Sequence, residues 1–248
     1  MASSVILTDY VEGDRIAYSL DCPPDMTRNI KRSCALAICA IAMLTGVSSV
    51  RAQSDDTQVE FWPEAQVHLT VAPQTKIILL SNVSRARETG TSLEGQLGIS
   101  LDYRFDDTFS VRTGYRYSTS LVEDDPSTEH RILFEQTFRF RFSSKFLLSL
   151  RTREDLRFID SEFSARIRER AMIERDSEIE GYTFTPYGSA EVYYDTRFDS
   201  LNRNRFILGV VFPVTNHFSV DIYGARQNDN RSSPNHVNAL GLTLTLSY

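Results

Sequence analysis

Arginines at every second position are the residues of this sequence most able to do chemistry. The segment HRILFEQTFRFRF, from 130 to 142, carries Arg131, Arg139 and Arg141, and the segment FLLSLRTREDLRF, from 146 to 158, repeats the spacing. A guanidinium group offers a planar fork of N–H donors that matches a carboxylate or a phosphate. If these side chains share one surface, they predict either the binding of anions or pairing with acidic residues.

Alternation places these side chains on one face of extended strands. Successive side chains of a β-strand point to opposite faces, so in TFSVRTGYRYSTS Arg112 and Arg116 oppose Phe109, Val111 and Tyr115. In a transmembrane barrel the apolar face meets lipid and the polar face lines the lumen. The predicted basic lumen residues are Arg112, Arg116, Arg131, Arg139, Arg141, Arg151, Arg153, Arg157, Arg166, Arg168, Arg170 and Arg205. The predicted acidic ones are Glu60, Glu64, Glu94, Asp102, Glu135, Asp155, Glu191, Asp195 and Asp221.

The two signs of charge are unevenly distributed along the chain. The arginines concentrate between 108 and 170, whereas the acids lean toward the first three strands and toward 182–195. This distribution predicts a basic wall opposite a more acidic wall, along which an anion could travel. The alternative is that the charges only cross-link the strands. Burial costs several kcal/mol per unpaired ion, so the interior must be either wet or a dense network of salt bridges.

Eleven alternating segments are predicted as strands, at 59–71, 76–87, 92–105, 108–121, 130–142, 146–158, 163–176, 182–195, 204–214, 218–228 and 236–248. Their lengths match the roughly 9–11 residues that a tilted strand needs to cross a bilayer. The connections APQT, DD, SSK and TNH are tight, while ETGTS, VEDDPSTE, DTRFDSLNRN and QNDNRSSPN are longer and polar, which is typical of bacterial barrels. Residues 159–181 are the least regular, and a surface helix is the alternative there.

The sequence therefore predicts an all-β fold, an antiparallel up-and-down transmembrane β-barrel of about 12 strands. Single-chain bacterial barrels close with even strand numbers, so ten strands is the alternative to twelve. In the last strand Leu240, Leu242, Leu244, Leu246 and Tyr248 share one face. We expect these residues to face outer-membrane lipid, and the C-terminal strand to engage the barrel-assembly machinery.

The N-terminal quarter has the pattern of an exported protein. Arg28, Lys31 and Arg32 precede an apolar run from 34 to 47, and VRA before Gln53 is a small-x-small cleavage site. We interpret 26–52 as a signal peptide, with lipidation at Cys39 as a weaker alternative, and 53–248 as the barrel. Residues 1–25 carry five acids and one base, so we interpret them as a mis-annotated, disordered extension upstream of Met26. The predicted location is the bacterial outer membrane.

Composition excludes several classes of protein. The formal net charge of -6 gives no sign of nucleic-acid binding, and the mean hydropathy of -0.28 cannot detect alternation. Cys22, Cys34 and Cys39 all precede Gln53, so a disulfide-stapled scaffold is excluded for the mature chain. Four histidines without a serine motif argue against a hydrolase. We expect no enzyme, no cofactor and no metal, and a lipid-modifying enzyme is the least favoured alternative.

A family resemblance adds to this interpretation. The segments TPYGSAEVYYDTRFDSLNRNRFILGVVFPVTNHFSVDIYG, STEHRILFEQTFRFRF and EFWPEAQ resemble a bacterial outer-membrane family of the domain of unknown function 2490 type, over most of 57–248. The resemblance implies an outer-membrane β-barrel and assigns no activity, so no catalytic residues carry over.

Two functions remain open from the sequence. The first is a narrow porin-like channel whose arginine-lined lumen favours small anionic solutes. The second is a non-conducting structural or surface-interaction barrel, with its lumen filled by arginine–carboxylate pairs and recognition left to the loops at 122–129, 196–203 and 228–235.

Overall fold

The computed structural model describes residues 57–85, 93–121, 127–231 and 235–248, and the backbone of 11–12 and 15–16. Residues 1–54 form a separate unit, in which Val11–Glu12 pairs antiparallel with Arg15–Ile16. The predicted signal peptide and Cys39 lie outside the described residues. All further description concerns the unit from Asp55 to Tyr248.

Twelve strands form one sheet in this unit, which confirms the predicted all-β fold of about twelve strands. Their bounds are β1 Thr57–Ala72, β2 Thr75–Arg85, β3 Leu93–Arg104, β4 Phe109–Ser120, β5 Thr128–Arg141, β6 Phe146–Ile159, β7 Glu162–Arg175, β8 Ser177–Ile179, β9 Tyr182–Asp195, β10 Ser200–Thr215, β11 Phe218–Asp229 and β12 His236–Ser247. No described helix is long and apolar enough to cross a membrane.

Eleven of these strands close into a barrel, and the three-residue β8 pairs with the start of β9 outside the closed wall. Consecutive wall strands are antiparallel, but β1 and β12 pair in parallel, from His236 opposite Thr57 to Ser247 opposite His68. The wall is therefore odd-numbered, against the even number expected from the sequence. An odd number of strands that alternate in direction leaves the first and last strands pointing the same way, and this is why β1 and β12 pair in parallel.

Because successive strands run in opposite directions, the connections between them lie at the two opposite ends of the barrel. The connections after β1, β3, β5, β7 and β10 lie at one end with Tyr248, which we call the turn end. The turn after β8 also lies at this end, and the remaining connections lie at what we call the loop end, where Thr57 begins β1. Two loop-end connections are shorter than predicted, because β10 already begins at Ser200 and because Asp160 and Ser161 alone join β6 to β7.

The region 159–181, the least regular of the predicted barrel, contains the regular strand β7 within one residue of the predicted 163–176, and not the alternative surface helix. Asp160 and Ser161 both have positive φ, 48° and 75°, which suits a two-residue hairpin whose twist matches its strands. Asp160 accepts hydrogen bonds from Thr128 N and Ser127 Oγ, both at 2.7 Å. At the other end of β7, Glu180 and Gly181 have φ of 53° and 81° and turn the chain from β8 into β9.

The outer face of the wall is apolar. Leu97, Leu150, Ile167 and Leu208 are among many large apolar side chains that lie exposed on it, and Leu240, Leu244 and Leu246 share the face in β12 as predicted. Glu154 and Glu169 are exceptions near the middle of β6 and β7, and Glu169 accepts a hydrogen bond from Thr152 at 2.9 Å.

Aromatic side chains mark both ends of this outer face. At the turn end a row of rings runs through Tyr103, Phe105, Phe109 and Phe138, with centroids 4.7–5.4 Å apart. The loop end carries a second set of rings: Tyr115, Tyr117, His130, Phe158 and Phe163. The apolar residues between the two sets form a band around the wall.

Candidate functional site

The strand register brings the inward arginines of β4 to β7 directly beside one another. Arg116 is opposite Arg131, and Arg131 is opposite Arg157, so three arginines form a row across three strands. Arg153 is opposite Arg168 in the neighbouring pair of strands. Like charges directly opposite are destabilising, so this arrangement requires counter-charges close by.

Two carboxylates supply the counter-charge near the loop end. Glu129 contacts Arg131 at 2.5 Å and Arg157 at 2.7 Å. Asp195 contacts Arg166 at 2.8 Å and Arg157 at 3.4 Å. Arg197, from the connection between β9 and β10, also reaches Asp195 at 2.8 Å. Arg157 therefore ties β5 to β9, and the loop-end connection is anchored to the charges inside the barrel.

A second set of pairs continues toward the turn end. Glu135 contacts Arg112 at 3.5 Å and Arg151 at 3.4 Å. Glu191 contacts Arg151 at 2.9 Å and Arg168 at 3.0 Å. These shared carboxylates extend the network from β4 to β9.

Asp155 and Asp102 complete this second set of pairs. Asp155 contacts Arg153 at 2.8 Å and Arg168 at 3.9 Å. Asp102 contacts Arg112 at 3.0 Å. We call both sets together the lumen network; it consists of Arg112, Arg131, Arg151, Arg153, Arg157, Arg166, Arg168, Arg197, Asp102, Glu129, Glu135, Asp155, Glu191 and Asp195.

Most of the lumen network is withdrawn from water, whereas Arg197 at the loop end is 26 % exposed. Asp155 and Asp195 have 0 % exposure and Arg157 has 1 %. Side chains lining a water-filled pore would be accessible along its length, whereas these fill the space between the strands. Paired burial of this kind satisfies the charges, and removal of one partner leaves the other uncompensated.

Aromatic rings contact several of the inward arginines. The Tyr193 ring lies 4.8 Å from Arg168, 5.5 Å from Arg205 and 5.6 Å from Arg203, and its hydroxyl donates to Glu191 at 2.5 Å. Arg205 also lies 4.8 Å over the ring of Trp62. Since Trp62 belongs to β1 and Arg205 to β10, this contact reaches across part of the lumen.

Part of the lumen is apolar, which the alternation did not indicate. Met172, Tyr187 and Val211 form one buried cluster, and Ala225, Val237 and Ala239 form another. Ile207 and Tyr223 pack against both clusters, and Trp62 packs against the second. The second apolar cluster and the inward arginines therefore meet at Trp62, whose ring lies under Arg205.

The predicted lumen residues fall into several environments. The register places all twelve predicted arginines in the inward phase of their strands, but Arg141 lies at the rim, 37 % exposed, and pairs with Asp176 at 3.1 Å. Arg139 donates to Ser110 Oγ at 2.9 Å, and Arg170 faces Arg151 and Glu191 across the strands. Arg205 donates to Gln227.

The segregation of charge is weaker than the sequence suggested. Glu129, Glu135 and Asp155 lie on the same strands as the arginines and pair with them. The basic wall is therefore partly neutralised by its own acids, and by Glu191 and Asp195 from β9.

Several members of the interior were missed from the sequence. Glu129 lies one residue before the predicted start of its strand, although it is in phase with Arg131. Arg203 and Asp229, which contact each other, lie beyond the predicted ends of β10 and β11. Extending each predicted strand by one residue would have included these three residues. No alternation signal exists for Arg197, because it lies in a connection.

Each histidine ring forms a hydrogen bond with a polar neighbour. His68 is buried, and its Nε2 lies 2.7 Å from Gln66 Oε1, while Gln66 donates to Glu64. His130 lies on the outer face, 2.6 Å from the Tyr115 hydroxyl, and His217 Nδ1 lies 2.8 Å from the Ser247 carbonyl oxygen. Over the described ranges, no three His, Cys, Asp or Glu side chains come together to hold a metal ion.

Two carboxylates in the turns have shifted pKa values. Hydrogen bonds from Thr128 and Ser127 lower the pKa of Asp160 below its usual 3.8. Hydrogen bonds from the hydroxyl and amide of Thr108 and the amide of Phe109 lower the pKa of Asp106. Each carboxylate therefore stabilises its turn when the carboxylate is charged.

The fold and the interior together define a class of protein, a closed β-barrel with an apolar outer face and a packed, charged lumen. The chain belongs to the family described as "Protein of unknown function (DUF2490)", whose model matches residues 59–238. This match confirms the resemblance drawn from the sequence. No curated protein matches the chain.

Proposed function

We propose that this protein is a bacterial outer-membrane β-barrel that does not conduct solutes and serves as a structural or surface-interaction barrel. The observation that carries the proposal is the burial of the lumen network, with Asp155 and Asp195 at 0 % exposure. Charges that are paired and dry block the lumen instead of lining a path through it.

The outer band supports the membrane location. Phe146 and Phe158 lie 12 residues apart on the outer face of β6. At about 3.3 Å per residue and a tilt of about 40°, their separation along the barrel axis is about 30 Å. That height suits an apolar band of about 25 Å with aromatic residues at its two edges. Bacterial barrels have their short turns on the periplasmic side, so we assign the turn end and Tyr248 to that side.

The loop end supports a role in surface interaction. Phe198 lies against two guanidinium groups, with Arg197 at 5.2 Å and Arg231 at 5.7 Å from its ring. Arg197 is itself held by Asp195 inside the barrel. The connection that carries Phe198 is thus fixed to the wall, which suits a preformed recognition surface.

A narrow channel that favours anionic solutes is the second candidate. It is favoured by the excess of positive charge in the lumen network, where eight arginines share six carboxylates. An anion entering such a lumen would meet guanidinium groups in succession.

Planar-bilayer recording distinguishes the two candidates. We expect no steady conductance from the wild-type protein, and current steps from Arg157→Ala, because that substitution removes the side chain that joins Glu129 to Asp195. Arg226→Ala is the matched control, since Arg226 lies on the outer face and bonds Asn228 and Asn238. A steady wild-type conductance that prefers anions would replace the first candidate with the second.

A further inference from the structure

We propose that the lumen contains a binding site for a phosphate-type oxyanion, formed by Arg116, Arg131, Arg153 and Arg168. These residues come from four consecutive strands, β4 to β7. We call the four residues the arginine cluster. The inference goes beyond the proposed function, because a closed barrel and a conducting one are equally able to bind an ion inside.

The register assembles the arginine cluster. Arg116 and Arg131 are directly opposite each other, and so are Arg153 and Arg168. Residues directly opposite in a sheet have Cβ atoms about 4.5–5.5 Å apart, and like charges at that distance repel. The two pairs are offset by four residues along β5 and β6, since Arg153 is opposite Glu135, but Arg153 still acts electrostatically on Arg116.

The carboxylates near the arginine cluster are already shared. Asp155 contacts Arg153 and Arg168, and Arg131 acts on it electrostatically. Arg131 shares Glu129 with Arg157. Arg168 shares Glu191 with Arg151. The cluster therefore holds more N–H donors and positive charge than these acids satisfy.

Two members of the arginine cluster have guanidinium N–H groups that could still donate to a ligand. Among the described residues, Arg116 donates to Gln96 Oε1 at 3.1 Å and has no carboxylate within ion-pair distance. Arg153 is 3 % exposed, yet its Nη2 has no hydrogen-bond partner in the described part of the chain. A buried donor without an acceptor costs free energy, and more so when it is charged.

The charged groups that act on Arg116 indicate which side chains surround it. Arg153 acts most strongly, followed by Glu64, Arg131 and Asp155. Glu64 and Asp155 repel an anion, and Asp155 pairs with the Nε atom of Arg153, so we place the ligand between Arg116 and the unpaired Nη2 atom of Arg153. Arg131 and Arg168 add positive charge beside it.

The chemistry of this position selects a small oxyanion. A phosphate group carries up to two negative charges and several acceptor oxygens, which two guanidinium forks can bind in bidentate fashion. The arginines beside this position are largely enclosed, since the side chains of Arg168 and Arg112 are only 12 % and 15 % exposed. A phosphate ion or a phosphate headgroup fits this description, whereas a bulky solute does not.

Calorimetric titration of the detergent-folded, full-length protein tests the site. Inorganic phosphate is titrated in one arm and dihexanoyl phosphatidic acid in the other, against sodium chloride at matched ionic strength. We expect saturable binding in at least one arm, weakened at least tenfold by Arg116→Gln and by Arg153→Gln. Arg226→Gln is the matched control and should leave binding unchanged, because Arg226 lies on the outer face.

The two arms separate the sources of the phosphate group. Binding in the phosphate arm identifies a free ion as the ligand, and binding in the lipid arm alone identifies a headgroup. Absence of saturable binding in both arms, or equal weakening by Arg226→Gln, overturns the site. Arg116→Gln keeps the test decisive if Arg153→Gln does not fold, since Arg116 holds no ion pair in the described structure. The titration needs no membrane, so its failure is distinct from the failure of the proposed function.

Discussion

Single residues decide how the interior of this barrel is stabilised, and Asp195 is the clearest case. Its carboxylate has no exposure and contacts Arg157, Arg166 and Arg197. One acid thus connects β6, β7, β9 and the connection to β10. Because three guanidinium groups converge on one carboxylate, its loss affects all of them together.

Asp195→Ala should lower the free energy of unfolding by about 3–5 kcal/mol, because it removes a buried counter-charge that three guanidinium groups share. Urea-induced unfolding in lipid vesicles, followed by tryptophan fluorescence, measures the change. Asp107→Ala is the control, since its carboxylate is 85 % exposed and lies 3.9 Å from Arg104. A solvent-exposed pair contributes about 0–1 kcal/mol, so equal effects of the two substitutions would contradict the account.

The turn at Asp160 gives a prediction about pH. Its folded-state pKa is lowered by hydrogen bonds from Thr128 and Ser127, so its contribution to stability is present above the unfolded pKa of about 3.8. The contribution is lost as the pH falls through the lower folded-state pKa. Asp160→Asn should therefore reduce stability at pH 7 and have a vanishing effect at strongly acidic pH, measured as the unfolding midpoint at each pH. A difference that persists unchanged in acid would contradict this role of the charge.

At the scale of elements, periodicity explains why most strands could be predicted from sequence. A two-residue alternation fixes which side chains share a face, so β4, β5, β6 and β12 were predicted within two residues of their observed bounds. The start of β10 at Ser200 was missed, because its register slips at Tyr193 and Tyr194 and breaks the alternation across the connection.

Closure of the barrel could not be derived from the alternation. Pairing of β1 with β12 joins residues nearly the whole barrel apart in sequence, and no local pattern specifies whether it is parallel. At the turn end, Tyr248 accepts from Thr70 N at 2.7 Å and donates to the His68 carbonyl at 2.9 Å, which fixes the seam. The shared carboxylates of the lumen were likewise beyond prediction, since they depend on the register between strands.

A cysteine pair tests the parallel seam. Ala65 and Leu244 are directly opposite across β1 and β12, and the cysteines of the chain all precede Gln53. We expect Ala65→Cys with Leu244→Cys to form a disulfide on mild oxidation of the folded protein, detected by gel migration. Phe61→Cys with Leu244→Cys is the control, because Phe61 is opposite Leu240. Cross-linking of the control pair but not of the test pair would contradict the observed register.

At the scale of the whole molecule, the barrel separates two environments along every strand. Apolar side chains and two sets of aromatic rings cover the outside, while the lumen network and the apolar clusters fill the inside. The sequence alone predicted the two faces, but left open whether the interior was wet or paired. The contacts of Glu129, Asp155 and Asp195 are those of a paired interior.

The central claim is that hydrocarbon contacts the outer face while the inner face is packed against the barrel's own side chains. A spin-label scan of single cysteines along β12, at 240 and from 242 to 246, in lipid vesicles tests it most directly; Gly241 is left out because a Cβ there would overlap the Tyr223 ring. We expect oxygen accessibility to peak at Leu240, Leu242, Leu244 and Leu246 and to be low at Thr243 and Thr245, with a period of two residues. High accessibility of the leucine positions to a water-soluble nickel complex, or a peak at the alternate positions, would contradict the account.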